Sequence, residues 1–254
     1  MERAAVIVEE CRRSLAARGG MLDEIIGGVA QCDEWRHYPA GEVYDPASHA
    51  QYFYHVHPAA HQSVGEHGHF HTFLRAEGMP RGVMPLVLPE IGVAATRSAP
   101  QAAPLKRGGS DEVSHLIAIA LDSRGQPVRL FTTNRWVTGE TWYPAADVIR
   151  MLDRFTIAEA PPAPLLNRWL TALVQLFLPQ ISALLRERDR TVTEWRQRRR
   201  GDVFEDPRLE IASSIEIDID AQLSFLDRVR ATATAQPARR LPGLAEGWGE
   251  GQIG

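Results

Sequence analysis

The chain has 254 residues, of which 44% are hydrophobic and 24% charged, a composition typical of a globular protein with one core. The chain contains 28 basic and 32 acidic residues, and the resulting net charge of -4 argues against nucleic acid as a partner. The two cysteines form no Cys-x-x-Cys pair, which excludes a disulfide scaffold and predicts a cytoplasmic protein. Every apolar run is too short to predict a signal peptide or a membrane span.

The first part of the chain changes from helical to extended patterning. Apolar residues recur with helical spacing over 2–18, and two glycines end that predicted helix. From 51 to 75 the period becomes two, which predicts two strands whose apolar faces include Tyr52 and Phe70. The histidines of this segment therefore fall on the opposite face of both strands.

The rest of the chain alternates loops, strands and helices. A proline-rich stretch at 79–109 predicts a long irregular loop that roofs the sheet. Two further strands are expected at 114–121 and 128–132, and helices at 144–200 with a kink at a proline. The segment 211–220 alternates isoleucine with acidic residues, which favours an edge strand, with a helix as the competing interpretation.

These elements predict an α+β fold, in which a small antiparallel sheet at about residues 50–135 packs against N-terminal and C-terminal helices. We expect a single domain over 1–230, with a histidine-rich β core at 50–143 and a mainly helical part at 144–230. Residues 231–254 are rich in Ala, Gly, Pro and Arg, which predicts a flexible tail.

Six of the nine histidines lie between His55 and His71. Histidine is the commonest metal ligand and is neutral near pH 7, so this cluster predicts a transition-metal site. Side chains two apart on a strand point the same way with Cα atoms roughly 6.5 Å apart, close enough to share one ion. If the two strands pair with His57 opposite His67, then His55 lies opposite His69.

The predicted site holds one iron, copper or zinc ion, because nitrogen ligands disfavour magnesium and calcium. The ligands expected first are His55, His57, His69 and His71, and three of these could be sufficient. His67 and His115 are the remaining candidates. The other histidines, His37, His49 and His61, are expected to be ordinary hydrogen-bonded groups.

Two further groups of residues are candidates for chemistry. Glu66 is the expected general base, or the group that orients a ligand imidazole. A polar and aromatic corner after the last predicted strand could form a substrate wall, with an ordinary packed corner as the alternative. Its candidate substrate-binding residues are Asn134, Arg135, Trp136, Glu140 and Trp142.

Three strings of the sequence resemble an uncharacterised family of bacterial proteins, over much of residues 37–143. The strings are His55-Val56-His57, Glu66-His67-Gly68-His69-Phe70-His71 and the block from Thr133 to Trp142. This resemblance implies a bacterial source and carries no known activity. The cupin metal signature, G-x5-H-x-H-x3,4-E-x6-G, is only loosely similar, because His49 and Ser63 stand where its first glycine belongs.

The sequence leaves three functional hypotheses. The first is a metal-dependent enzyme acting on a small molecule, with oxygen chemistry at non-haem iron or copper preferred to hydrolysis at zinc. The second is a non-catalytic copper or zinc protein that buffers or senses the metal. The third is a metal-free ligand-binding or interaction protein, in which the histidines form a hydrogen-bonded network.

Overall fold

The computed structural model describes residues 1–27, 32–57, 65–86, 112–158 and 160–235. Six strands form one antiparallel sheet, and each strand pairs with its neighbours in chain order. They are β1 (Tyr38–Tyr44), β2 (Ala50–His55), β3 (Gly68–Arg75), β4 (Val113–Leu121), β5 (Pro127–Thr133) and β6 (Ile211–Glu216). The predicted α+β class is confirmed; β6 is the expected edge strand, whereas β1, at the other edge, was not predicted.

Seven helices lie in the described part of the chain. They are α1 (Glu2–Ala16), α2 (Met21–Ile26), α3 (Arg135–Thr138), α4 (Ala145–Leu152), α5 (Pro164–Leu176), α6 (Leu178–Arg198) and α7 (Ile219–Ala235). The predicted first helix is confirmed as α1, whose buried stripe includes Val8 and Cys11. Pro179 lies in the first turn of α6, where its missing amide hydrogen costs little, so the predicted kink separates two helices.

One face of the sheet packs against these helices. Alternation along the strands places Tyr52 and Phe70 on this face, and both are fully buried. The Tyr52 hydroxyl donates to Asn167 Oδ1 of α5 at 2.7 Å, which satisfies a polar group inside the core. The ring of Trp169, also from α5, lies 6.2 Å from that of Phe70. The histidine-bearing side chains consequently occupy the other face.

A β-bulge in β4 changes which side chains reach that other face. Thr72 of β3 pairs with Ile117, whereas the next residue, Phe73, pairs with His115. Leu116 is therefore an extra residue in β4. Without this bulge, strict alternation would turn His115 towards the helices. The bulge instead places His115 on the same face as Phe73.

Residues 211–220 are a strand in their first part and the beginning of a helix in their last part, so each of the two interpretations is correct for part of the segment. A strand, β6, ends at Glu216, and the helix α7 begins at Ile219 and continues to Ala235. The predicted tail thus starts inside a helix, and the remainder of it lies outside the described residues. The chain divides into two compact units, 1–219 and 220–254.

Two other expectations concern the loop and the membrane. Most of the predicted proline-rich loop, and with it the predicted roof over the sheet, lies outside the described residues. Within the described ranges, no individual helix has the length and apolar character of a membrane span. The pair α5 and α6, bent by 70°, meets that test only when the two helices are taken together.

Candidate metal centre

Three histidine side chains converge on one face of the sheet. His55 of β2 and His69 of β3 are directly opposed in the register, as the sequence predicted. Their Nε2 atoms lie 2.7 Å apart, and His57 Nε2, just beyond the end of β2, lies 3.2 Å from His55 Nε2. One ligand nitrogen from each of the three residues lies within 4.8 Å of the others. We refer to His55, His57 and His69 as the histidine trio.

The separations within the histidine trio fit the geometry of ligands to one ion. A zinc–nitrogen bond of about 2.0–2.1 Å in tetrahedral geometry places neighbouring ligand nitrogens roughly 3.3 Å apart. The two short separations, 2.7 and 3.2 Å, lie just below that value, so the rings would need to move apart only by tenths of an ångström to admit an ion. The donor set, three imidazoles, suits zinc, copper or iron. The trio can therefore bind a transition-metal ion.

Burial keeps the ligand candidates in the form that binds metal. Burial, together with smaller contributions from the neighbouring His57 and His37, lowers the pKa of His55 to about 3. Burial also holds the pKa of His69 well below its usual value, with His55 and His57 adding to the effect. Neutral imidazoles are the ligand form, so no proton has to leave these rings near pH 7 before an ion binds.

The walls around the histidine trio are largely apolar and aromatic. In β4, the small side chains of Ala118 and Ala120 lie opposite His71 and His69 and are fully buried. The ring of Phe131 meets that of His69 edge-on at 5.0 Å. The half-exposed ring of Trp35 lies 4.5 Å from that of His57, the least buried member of the trio. Among the described residues, His57 is therefore the member of the trio with the most exposed surface.

His71 and His115 form a second imidazole pair beside the trio. The Nδ1 atom of His71 lies 3.0 Å from Nε2 of His115, and both residues are fully buried. Burial lowers the pKa of His115 to about 3 and keeps that of His71 well below its usual value. The structure thus brings both residues to the predicted face, but the contact that His71 Nδ1 makes is with His115 rather than with the trio.

His37 was expected to be an ordinary hydrogen-bonded group, and it lies next to the trio. Its ring stacks on Phe53 at 3.7 Å and lies 5.8 Å from the ring of His55. Its Nδ1 donates to Glu42 Oε1 at 2.8 Å, and Glu42 also accepts from Gln51 Nε2. Pro39 and Gly41 conceal the strand pattern of β1, so the sequence offered no signal that would bring His37 to this face.

His67 lies outside the trio, although it was one of the predicted ligands. It precedes β3, and its Nδ1 lies 2.7 Å from the hydroxyl of Tyr54. Tyr54 directly precedes His55 in β2, so its side chain points to the opposite face of the sheet, which packs against the helices. The predicted pairing of His57 with His67 falls outside the strands, because β2 ends at His55 and β3 begins at Gly68.

Glu66 lies at the margin of the same face, held by Arg129 of β5. Its two carboxylate oxygens accept from Arg129 Nε at 2.5 Å and from Nη2 at 2.9 Å. The guanidinium of Arg129 also lies 4.4 Å above the ring of Phe131, next to His69. Both carboxylate oxygens are thus engaged, and the role of Glu66 as a general base stays a prediction.

The corner after β5 contacts a distant segment of the chain. Asn134 caps α3 by accepting from Arg135 N and donates to the Val203 carbonyl at 2.7 Å. Arg135 is paired with Glu205 at 2.7 Å and with Asp202 at 3.2 Å. Each of these polar groups therefore has a partner in the packed corner.

The remaining candidates of the corner are also held by neighbouring groups. Trp136 Nε1 donates to the Leu209 carbonyl at 2.8 Å, and Trp142 is buried with the Arg188 guanidinium 4.1 Å above its ring. The Glu140 carboxylate accepts from the backbone N–H of His115 at 2.7 Å, and burial raises its pKa to about 7. These contacts fit a packed corner, and the substrate-binding role of its five residues stays a prediction.

Comparison with known proteins agrees with the expectation of an uncharacterised family. No curated protein and no solved structure matches the chain. The predicted membership of an uncharacterised family is confirmed, and nothing in the comparisons points to the cupins. The chain belongs to the family described as Domain of unknown function (DUF6969), which matches residues 2–217.

Proposed function

We propose that this protein is a metal-dependent enzyme, whose single catalytic ion is held by the histidine trio. The observation that carries the proposal is the convergence of three rings, from β2, from the residue two positions beyond it and from β3, with their Nε2 atoms close together. Three protein nitrogens leave at least one coordination position for water or substrate, which is typical of catalytic rather than structural metal sites.

Oxygen chemistry at iron or copper is the preferred reaction class. Hydrolysis at zinc requires a base for the attacking water, and the expected base, Glu66, has both oxygens engaged by Arg129. The apolar walls formed by Ala120 and Phe131 suit a small organic substrate rather than a highly charged one. When bound, the metal supplies the redox chemistry, and the chain positions it and limits the access of water.

A buffer or sensor is the main rival within the metal-binding class. Such a protein gains affinity by saturating its ion with four or more protein ligands. The three converged nitrogens of the histidine trio differ from that arrangement, because the nearest further ring, His71, directs Nδ1 to His115. The geometry of the trio consequently favours catalysis over storage.

Elemental analysis of the full-length protein, purified without an affinity tag, tests the proposal. We expect about one equivalent of iron, copper or zinc, and X-ray absorption showing nitrogen neighbours at about 2.0–2.1 Å. Dioxygen consumption by the iron-loaded or copper-loaded protein with a reductant then tests the reaction class. Less than about a tenth of an equivalent, even after reconstitution, would contradict metal binding and favour a metal-free hydrogen-bonded pocket.

A further inference from the structure

The facing nitrogens of His71 and His115 are spaced like two ligands of one metal ion. Their facing nitrogens, Nδ1 and Nε2, lie 3.0 Å apart, close to the roughly 3.3 Å expected between neighbouring nitrogens on one ion. The two rings come from neighbouring strands, β3 and β4, as the ligands of the trio come from β2 and β3. The pair thus repeats the construction of the trio one strand further along the sheet.

The backbone around His115 is arranged so that Nε2 faces His71. The bulge at Leu116 turns the side chain to the histidine face of the sheet. The buried Glu140 carboxylate accepts the backbone N–H of His115 and anchors this part of β4. Thr133 Oγ1 lies 3.5 Å from Nδ1, on the side of the ring away from His71. A polar partner on the second ring nitrogen is the usual surrounding of a ligand imidazole.

The pair also lies at the right distance from the histidine trio. The ring centroid of His71 is 4.8 Å from that of His69 and 5.2 Å from that of His55. Two-metal sites in enzymes hold their ions about 3.5–4 Å apart, and rings in contact with each other can place two ions within that range. One exogenous water or substrate atom can then bridge both ions.

We propose that His71 and His115 bind a second transition-metal ion next to the first, so that the loaded centre is dinuclear. This inference rests on the proposed function, because the second ion would lie beside the ion of the trio and would act on the same water or substrate. Two protein nitrogens bind less tightly than three, so the second ion binds more weakly and fills after the first. A dinuclear centre narrows the reaction class to chemistry in which two metals act on one bridging ligand.

Metal titration of the full-length, metal-free protein tests the inference. Equilibrium dialysis against Co²⁺, followed by elemental analysis, should give two equivalents for the unchanged protein and one for His115→Gln or His71→Gln. The matched control, His67→Gln, should keep two, because His67 contacts Tyr54 rather than the pair. Circular dichroism of each variant identifies any loss of binding that results from unfolding.

The outcomes separate this inference from the proposed function. Saturation at one equivalent in the unchanged protein would overturn the second ion and leave the proposed mononuclear enzyme intact. Saturation at zero would overturn both. Two equivalents that persist in both His115→Gln and His71→Gln would place the second ion elsewhere and would also overturn the inference.

Loading with Cu²⁺ gives an independent test of adjacency. Two copper ions that share a bridging ligand couple magnetically, so we expect the integrated electron paramagnetic resonance signal to fall well below two spins. In His115→Gln the signal should return to that of one isolated ion. Two full, uncoupled spins in the unchanged protein would show that the ions are far apart and would contradict a dinuclear centre.

Discussion

The Nε2 atoms of His55 and His69 lie 2.7 Å apart, at directly opposed positions of β2 and β3. Because both rings serve the same point, loss of either should remove the ion. We expect His55→Ala and His69→Ala to lower metal affinity by more than the roughly 10- to 100-fold that accompanies loss of an outer hydrogen-bonding partner. Elemental analysis after dialysis against a weak chelator measures this loss.

The control for these variants is a histidine in the turn between β1 and β2, which has no contact with the trio in the described part of the chain. His49 has a φ of 61°, and its Nδ1 lies 2.7 Å from the Tyr44 hydroxyl. We expect His49→Asn to keep full metal occupancy, because asparagine tolerates this backbone conformation better than alanine. Full occupancy in both His55→Ala and His69→Ala would show that the ligands lie elsewhere.

Gly68 permits the close approach of β2 and β3 beside the trio. A Cβ atom at this position would lie against the His55 carbonyl oxygen and 2.6 Å from the Tyr54 hydroxyl. We expect Gly68→Ala to lower the free energy of unfolding by about 1–3 kcal/mol through overpacking, and to weaken metal binding by shifting His69. Urea denaturation and metal titration of the same sample measure the two effects.

A second glycine separates the steric effect from a general effect of substitution. Gly65 has open space around its Cβ position and a φ of 84°. Gly65→Asn should therefore cost less stability than Gly68→Ala and leave the metal affinity unchanged. If both variants lowered the metal affinity equally, the space at Gly68 would not be what positions the trio.

The ion pair between Glu66 and Arg129 should stabilise the fold. The exposed fractions of the two side chains are 10% and 16%, so either charge left alone would be poorly solvated. We expect Glu66→Gln or Arg129→Met to cost about 1–3 kcal/mol of unfolding free energy. The double variant should cost less than the sum of the two, and urea denaturation of all four proteins gives this coupling. Strict additivity would contradict an interaction in solution.

The stability of the metal-free protein should fall with acidification. Burial lowers the pKa of both His55 and His115 to about 3, whereas a histidine in the unfolded chain titrates near 6.5. The unfolded chain therefore takes up protons first, and stability that is complete above pH 6.5 is lost as the pH falls towards 3. Each such histidine contributes up to about 1.4 kcal/mol per pH unit.

One buried carboxyl acts in the opposite direction. Burial raises the pKa of Glu140 from 4.5 to about 7, so its contribution is present at low pH and is lost as the pH rises through that interval. Four histidines of lowered pKa outweigh it, namely His55, His69, His71 and His115. The urea midpoint should thus be lower at about pH 5.5 than at about pH 7.5, and a constant midpoint would contradict this assignment.

Local pattern predicted the central strands and the histidines that converge on one face. The alternation around Tyr52 and Phe70 separated an apolar face from a histidine face, and the register that opposes His55 and His69 is one of those compatible with that separation. Periodicity could not predict the bulge in β4, because an extra residue in a uniformly apolar strand leaves no mark in the sequence. The sequence therefore named His115 as a candidate ligand but gave no reason for its side chain to lie on the histidine face.

Long-range contacts account for what the sequence left unpredicted at the corner. Asn134 and Arg135 find their partners near Val203 and Glu205, about seventy positions further along the chain. A string of polar and aromatic residues looks the same whether it lines a pocket or meets another segment. Which of the two occurs depends on where the later helices return, and local spacing carries no information about that.

The proposed second metal site, formed by His71 and His115, depends on a single bulged residue, Leu116. If Leu116 took a regular place in the ladder instead of bulging, strict alternation would turn the His115 imidazole towards the helices, while the trio on β2 and β3 kept its place. A relative of the same chain length whose β4 paired without the bulge would retain a site for one ion and lose the second. The pairing of β3 with β4, rather than the identity of any ligand, would thus set how many ions this sheet could hold.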